Sequence, residues 1–337
     1  MGLRIIPSNT QIKFARFRNI AAAISAAAIL ASIGAFYVLG LNFGIDFTGG
    51  VEIEVEPQQG EEFGTDSLGA VRDAVAELGL GQVKVKTIGG TQTSPSGGIS
   101  VTVPLPKDEE QGGEVDREAE NRQTQIANQV KEILFETLGI GQEQVRKTDV
   151  VGPAVSGELI KAGVTAMVIS IGLMLIYIWF RFEWQFSLGA ILALVHDVII
   201  TVGVFSITQL DFTLSIIAAL LTIIGYSMND TVVVYDRIRE NLRKFKKMPL
   251  HQLIDLSINQ TLARTIMTSL TTLLALIALF LFGGDVLRGF SFALIWGIII
   301  GTYSSVFIAS PILLRTGVKR DWSEDGAGGK AVATNAP

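Results

Sequence analysis

The sequence predicts a polytopic α-helical membrane protein: six transmembrane helices, with one external α+β ferredoxin-like domain between the first and the second. Three observations carry this expectation. Of 337 residues, 49% are hydrophobic and only 18% charged, against about 25% charged in an ordinary soluble domain. The apolar residues gather into six blocks, each near the roughly 20 residues that a helix needs to cross a bilayer. Between the first two blocks, residues 41–157 instead change between strand and helix periods. A single water-soluble body is therefore excluded.

Residues 1–18 form a basic N-terminal segment, and the first span is expected over 19–40. Its apolar core is longer than the usual 7–15 residues of a cleaved signal peptide, and further spans follow, so a retained helix is expected. The other five are expected at approximately 158–180, 186–207, 212–235, 265–283 and 289–313. Residues 314–337 remain as a tail, its end rich in Gly and Ala. Residues 1–18 hold four Lys/Arg and no acid. The segment Asp236–Ala263, read as a loop, carries Arg237, Arg239, Arg243, Lys244, Lys246 and Lys247, and the tail starts with Arg315, Lys319 and Arg320. Six spans put all three clusters on one side, and the positive-inside rule makes that side cytoplasmic.

Residues 41–158 then lie outside. They hold nine Lys/Arg and 21 Asp/Glu, a net charge of −12, and the rest of the chain carries +7. Nothing in this pattern favours nucleic acid. VEIEVEP at 51–57 alternates like a half-buried strand, and Leu68, Val71, Val75 and Leu78 recur at helical spacing. Strands follow at 82–88 and 98–104, joined by the turn-forming TSPSGG. A helix over 118–138 aligns Ile126, Val130, Ile133, Leu134 and Leu138, and 144–151 is the last strand. Strand–helix–strand twice over is the split βαβ pattern. Glu52, Glu54 and Glu56 share one strand face and are expected to be solvated.

The absence of Cys removes disulfides, thiol nucleophiles and cysteinyl metal sites, and two histidines leave little for a multi-histidine centre. No cofactor is expected, and no enzyme. The informative residues are ionisable ones inside apolar spans, which are costly there and mark functional paths. His196 and Asp197 interrupt the third span, Asp230 sits in the fourth beside Asn229, and Arg264 opens the fifth. Thr268 and Thr272 continue the face of Arg264. A carboxylate can take up and release a proton at such depth, and a nearby cation opposes the uptake. Asp230 and Arg264 are therefore expected to form an opposing pair, with Asp197 and His196 as associated proton-handling groups. Gly225, Gly163, Gly172 and Gly189 are expected to allow close helix approach. In FGIDFTGG at 43–50, Asp46 precedes the glycine pair Gly49–Gly50, which permits a tight turn into the first strand. It lacks the Lys-Ser/Thr of a P-loop.

FGIDFTGG, the HD pair at 196–197, GYSMNDTVVVYDRIREN at 225–241 and SINQTLARTIMTS at 257–269 resemble the bacterial SecD/SecF family of protein-export subunits, on its SecF side. The likeness covers nearly the whole chain up to about Trp322; Tyr235 stands where an apolar residue is expected. The resemblance implies an accessory subunit in the bacterial inner membrane, both termini cytoplasmic and the soluble domain periplasmic. It also implies work with SecD, the SecYEG channel and YajC on translocating preprotein, in an assembly similar to the resistance-nodulation-division transporters. The proton gradient would drive late export and release, with Asp230 and Arg264 as proton-path elements, Asp197 and His196 beside them, and Asp46, Gly49, Gly50, Gly225 and Asn229 in structural coupling. A proton-coupled transporter of small solutes and a scaffold of a membrane complex are the rival readings.

Overall fold

The computed structural model describes residues 10–58, 61–64, 66–89, 97–104 and 117–318. Arg4, the connection at 90–96, and Lys319, Arg320 and the tail beyond them lie outside the described residues. In chain order the elements are α1 (Arg18–Leu39), α2 (Ile45–Thr48), β1 (Gly50–Val55), α3 (Ser67–Ala76), β2 (Lys84–Ile88), β3 (Gly98–Val103), α4 (Arg117–Leu138) and β4 (Val145–Val151). There follow α5 (Pro153–Arg181), α6 (Trp184–Thr208), α7 (Leu214–Lys244), α8 (Leu250–Phe282), α9 (Gly284–Ser304) and α10 (Ser310–Thr316). Six helical segments are long and apolar enough to cross a membrane, α9 and α10 forming one of them through a π-helical turn at Ser305–Ala309.

Two extents differ from the sequence expectation. The segment 236–263 is not a loop, because α7 runs on to Lys244 and α8 begins at Leu250, not at 265. The connection between them is only Phe245–Pro249. The reason is amphipathicity. Leu253, Ile254, Ser257, Ile258 and Thr261 are buried while the opposite side is polar, so mean hydropathy falls although the helix continues. This added length holds the chain's start: Ile12 N donates to Asn259 Oδ1 at 3.0 Å and Ala15 N to Asp255 Oδ1 at 2.8 Å.

The α+β domain has one antiparallel sheet in the order β2-β3-β1-β4. That order, with one helix after β1 and another after β3, is the ferredoxin-like arrangement. Val51, Ile53 and Val55 point to one face and are fully buried against Val71 and Val75 of α3 and Val130 and Leu134 of α4. Period two sends Glu52 and Glu54 to the other face, which is turned to the membrane helices and not to solvent. Glu54 is 7% exposed. Glu52 accepts a hydrogen bond from Ser100 Oγ at 2.9 Å and lies 3.7 Å from Lys86 Nζ. The expectation of a solvated acidic face is thus corrected for these two residues. They line, with Lys84, Lys86, Lys147 and Asp149, a cleft of about 710 Å³ between sheet and bundle.

Across that cleft the sheet is latched to the α6–α7 connection. Lys86 pairs with Asp211, Asp211 accepts from Asn42 Nδ2 at 2.8 Å, and Lys84 donates to Asn42 Oδ1 at 2.7 Å. Burial opposes the charge on Lys86, but Asp211, Glu52 and Glu54 together outweigh it and raise its pKa above the ordinary lysine value. A raised folded-state pKa means that the latch contributes fully below the unfolded value of about 10.4 and is lost as pH rises through the folded one. Asp211→Asn is expected to lower the protection of β2 amides, measured against their intrinsic base-catalysed exchange rate, at neutral pH, with no further fall in protection as pH is taken through the lysine range. The parent chain should show that loss of protection only in alkali.

The membrane helices pack around two apolar cores. One, near the α+β domain, contains Phe205, Phe212, Leu220, Ile223, Leu294 and Ile298. The other, towards the opposite end, contains Phe186, Leu194, Met228, Tyr235, Ile254 and Leu313. A layer of polar side chains separates them. Helix α1 lies directly on α6: a Cβ at Gly203 would stand 2.2 Å from Ser32 Cβ.

Candidate functional site

The polar layer is built on α6, α7, α8 and α9. Asp197 is 1% and Asp230 8% exposed, so each carboxylate must be hydrogen-bonded inside the protein. Asp197 Oδ2 accepts from Ser227 Oγ on α7 at 2.5 Å and from Ser304 Oγ on α9 at 2.7 Å. Its Oδ1 lies 2.9 Å from His196 Nδ1. Asp230 Oδ1 accepts from Thr265 Oγ1 on α8 at 2.6 Å, and its Oδ2 from Ser305 Oγ.

Ser304 and Ser305 are consecutive, so one short segment holds both carboxylates. It is where α9 passes into the π-helical turn. Such turns depart from the regular i→i−4 ladder and are frequent at functional sites. The freed backbone is satisfied from nearby: Ser310 Oγ donates to Ser305 O at 2.9 Å, and Tyr235 Oη to Ala309 O at 2.9 Å. This explains Tyr235. It is fully buried, packs edge-on against Phe186, and its hydroxyl occupies the space that a side chain at Gly189 would need.

Arg264 acts on Asp230 through space as an opposing charge but makes no direct contact with it. Among the described residues no ion pair links it to Asp230, and its side chain lies on the exposed face of α8. Adjacent residues on a helix are about 100° apart. Once Thr265 points inward to Asp230, Arg264 points out of the bundle. Thr268 and Thr271 lie exposed on α8 as well, their hydroxyls bonded back to Arg264 O at 3.1 Å and Met267 O at 2.9 Å. On α7, Asn229 and Gly225 are also exposed, and Gly225 meets nothing within 4 Å. Gly172 is equally open, whereas Gly163 approaches Ile217 at 3.0 Å. The close approach expected at Gly225 and Gly172 is therefore not made among the described residues.

Asp46 is tied to the bundle through its side chain. Its Oδ2 accepts from Leu214 N at 2.8 Å and so caps the first turn of α7. The flanking backbone is paired too, Gly44 N to Phe212 O at 3.0 Å and Phe212 N to Asn42 O at 2.7 Å. Gly49 at φ 69° and Gly50 at φ 151° then turn the chain into β1, and a Cβ at Gly50 would meet Val103 O at 2.7 Å. Asp46→Ala removes an acceptor and a negative charge from a helix N-terminus. A loss of about 1 kcal/mol is expected in thermal unfolding, with Asp46→Asn recovering part of it.

Sequence reading missed Ser227, Thr265, Ser304 and Ser305 as partners of the carboxylates. No signal marked them, because a hydroxyl in an apolar helix can bond its own i−4 carbonyl. Among the described residues no group of three or more His, Asp or Glu could hold a metal.

Comparison with known proteins fits this architecture. Residues 129–319 match the family model described as protein export membrane protein SecD/SecF, C-terminal, and residues 34–61 match the SecD/SecF GG motif. The chain belongs to the SecD/SecF family. It is 41% identical over 319 residues to the protein translocase subunit SecF of Rhodobacter capsulatus, covering 95% of this chain and 93% of that one. It is 45% identical over 314 residues to the SecF of Rickettsia bellii, covering 92% and 95%. The solved SecDF of Thermus thermophilus, a translocon-associated membrane protein, superposes with a TM-score of 0.76 at 34% identity. A SecDF structure in a super-membrane-facing form gives 0.61 at 35% identity. This SecD/SecF-family chain spans 94% of itself but only 39% and 40% of those two solved chains. Membership makes it a multi-pass inner-membrane subunit with a role in protein export, and a transport component, not an enzyme.

Proposed function

We propose that the chain couples proton movement through its buried carboxylates to a late step of protein export, the forward movement and release of preproteins on the external side. The observation that supports this most is the attachment of Asp197 and Asp230 to consecutive serines at the point where α9 passes into the π-helical turn. Thr265 and Ser305 both donate to Asp230, an arrangement suited to the ionised carboxylate. On protonation the acid gains a hydrogen of its own, so one hydroxyl must turn from donor to acceptor or let go. Either response moves α8 or the π-turn relative to α7.

The movement has a route outward. Asp230 lies 16 residues into α7, about 24 Å along a continuous helix from Leu214. There Asp46 holds the helix end, a few residues before β1. A shift of α7 is therefore delivered to the α+β domain. We orient the chain with both termini cytoplasmic and this domain periplasmic, supported by the three basic clusters.

SecD, the SecYEG channel and YajC are the proposed partners, preprotein the cargo and the proton the coupling ion, with no cofactor. Arg264, Asn229 and Gly225 face outward at membrane depth, where an arginine facing lipid alone is costly. We assign them to contact with a second membrane subunit, which would adjust the charge that Arg264 places near Asp230. The test is preprotein translocation into proteoliposomes containing the chain and these partners, with and without an imposed proton gradient. Stimulation of export that needs both chain and gradient is expected. Stimulation independent of the gradient would overturn the reading, and uptake of a small solute instead would favour a transporter.

A further inference from the structure

His196 is 3% exposed, and both of its ring nitrogens are engaged. Nδ1 lies 2.9 Å from Asp197 Oδ1, and Nε2 lies 3.1 Å from Ser25 Oγ on α1. The contacts continue: Ser25 Oγ is 3.0 Å from Tyr303 Oη, which is 3.0 Å from Ala21 O. Tyr303 stacks between the imidazole and Phe307 and is half-buried, the most open member of an otherwise buried series.

The hydrogens along this series can be counted. There are four contacts. An ionised Asp197 and a neutral His196 supply three hydrogens, one each on imidazole, Ser25 and Tyr303. One contact must then lack a hydrogen. The contact most easily left open is the one to Ala21 O, which is also within reach of its own helix ladder. The donors in that state run inward: Tyr303 to Ser25, Ser25 to Nε2, and Nδ1–H to Asp197. One additional proton on the His196–Asp197 pair fills all four contacts and reverses the outer donors. Nε2–H then donates to Ser25, Ser25 to Tyr303, and Tyr303 to Ala21 O. Gain or loss of the proton breaks no covalent bond except at the proton itself.

We propose that Asp197, His196, Ser25 and Tyr303 form a second proton-binding site, separate from Asp230, whose occupancy is registered on α1 by the donor direction of Ser25. Of the helices packed on α6, α1 brings Ser25 to this pair, α7 brings Ser227, and α9 brings Ser304 and Tyr303. Tyr303 is the ionisable group among them. Asp230 is linked through the adjacent Ser305, not directly. The assignment of a coupling role to this site rests on the proton-driven reading above, but proton binding itself does not.

The chain has only two histidines, and His251 is exposed at the start of α8. His251→Gln therefore leaves His196 as the sole histidine. The full chain carrying this change, labelled with nitrogen-15 on histidine and reconstituted in lipid nanodiscs, gives the ring's state by magic-angle-spinning NMR. As the sample is acidified, Nε2 should pass from an unprotonated acceptor to a protonated donor. Ser25→Ala removes the partner of Nε2 in both states, but the charge-assisted bond of the loaded state is the stronger of the two. The protonated pattern should therefore need a more acidic sample than in the parent chain. A ring that keeps one protonation pattern on acidification, or a response that Ser25→Ala leaves unchanged, would overturn the proposal. If the His196 ring responds as described while Asp230→Asn leaves gradient-driven export intact, the second site stands and the coupling reading falls. If the ring does not respond while Asp230→Asn abolishes that export, only the second site is lost.

Discussion

Asp230→Asn is expected to reduce gradient-driven export to the level seen without a gradient, a loss on the order of tenfold or more, while the chain still accumulates in the membrane. Asparagine has the shape of the carboxylic acid and remains neutral at every pH. Its carbonyl can accept from one of Thr265 and Ser305, and the other hydroxyl must turn to accept from the amide. The variant thus resembles the protonated state and cannot leave it. A purely structural Asp230 would give a different result: retaining two polar contacts would cost little, and export would respond to the gradient as before. Proteoliposome translocation across a range of imposed gradients separates the two, and an undiminished response would remove Asp230 from the mechanism. Asp197→Asn is a useful companion. Asp197 has donors from three helical positions, so its loss should lower the unfolding temperature as well as export.

Gly203→Ala is expected to weaken the attachment of α1 more than any other single methyl group in the bundle. The added carbon would stand 2.2 Å from both Cβ and Oγ of Ser32 and 2.7 Å from its Cα. Rotation of the serine relieves only the contact to Oγ, so the two backbones must separate. Overpacking of this kind costs about 1–3 kcal/mol, and the upper part of that range applies where backbone is in the way. Since α1 carries Ser25, its displacement also removes the partner of His196. Thermal unfolding in nanodiscs should show the destabilisation, and Ser32→Gly in the Gly203→Ala chain should recover part of it. An unchanged unfolding temperature would mean that α1 is held mainly elsewhere, for example by Asn259 and Asp255 on Ile12 and Ala15.

Particular residues show what could be read beforehand. Asp197 and Asp230 stood out because a carboxylate in an apolar span is costly and has few reasons to be there. Their hydroxyl partners did not, since Ser and Thr are cheap anywhere on a helix. Arg264 was legible as a charge but not as a contact, because one residue of offset turns a side chain by about 100°. The same limit applied to β1. Alternation revealed two faces, but only the placement of α3 and α4 decided that Glu54 would be enclosed over the bundle. The extension of α8 back to Leu250 was hidden because its buried stripe is diluted by a polar side.

By itself the sequence determined the six apolar spans, the α+β insertion, the charge division between them and the few ionisable groups able to carry protons. These follow from transfer free energies and backbone periodicity, which act residue by residue. The tertiary structure decided which groups meet: Asp197 and Asp230 on consecutive serines, His196 on α1, Asp46 at the head of α7, and Arg264 on the outside. Those contacts depend on helix rotation and register, which are set by packing between segments far apart in the chain and leave no local trace.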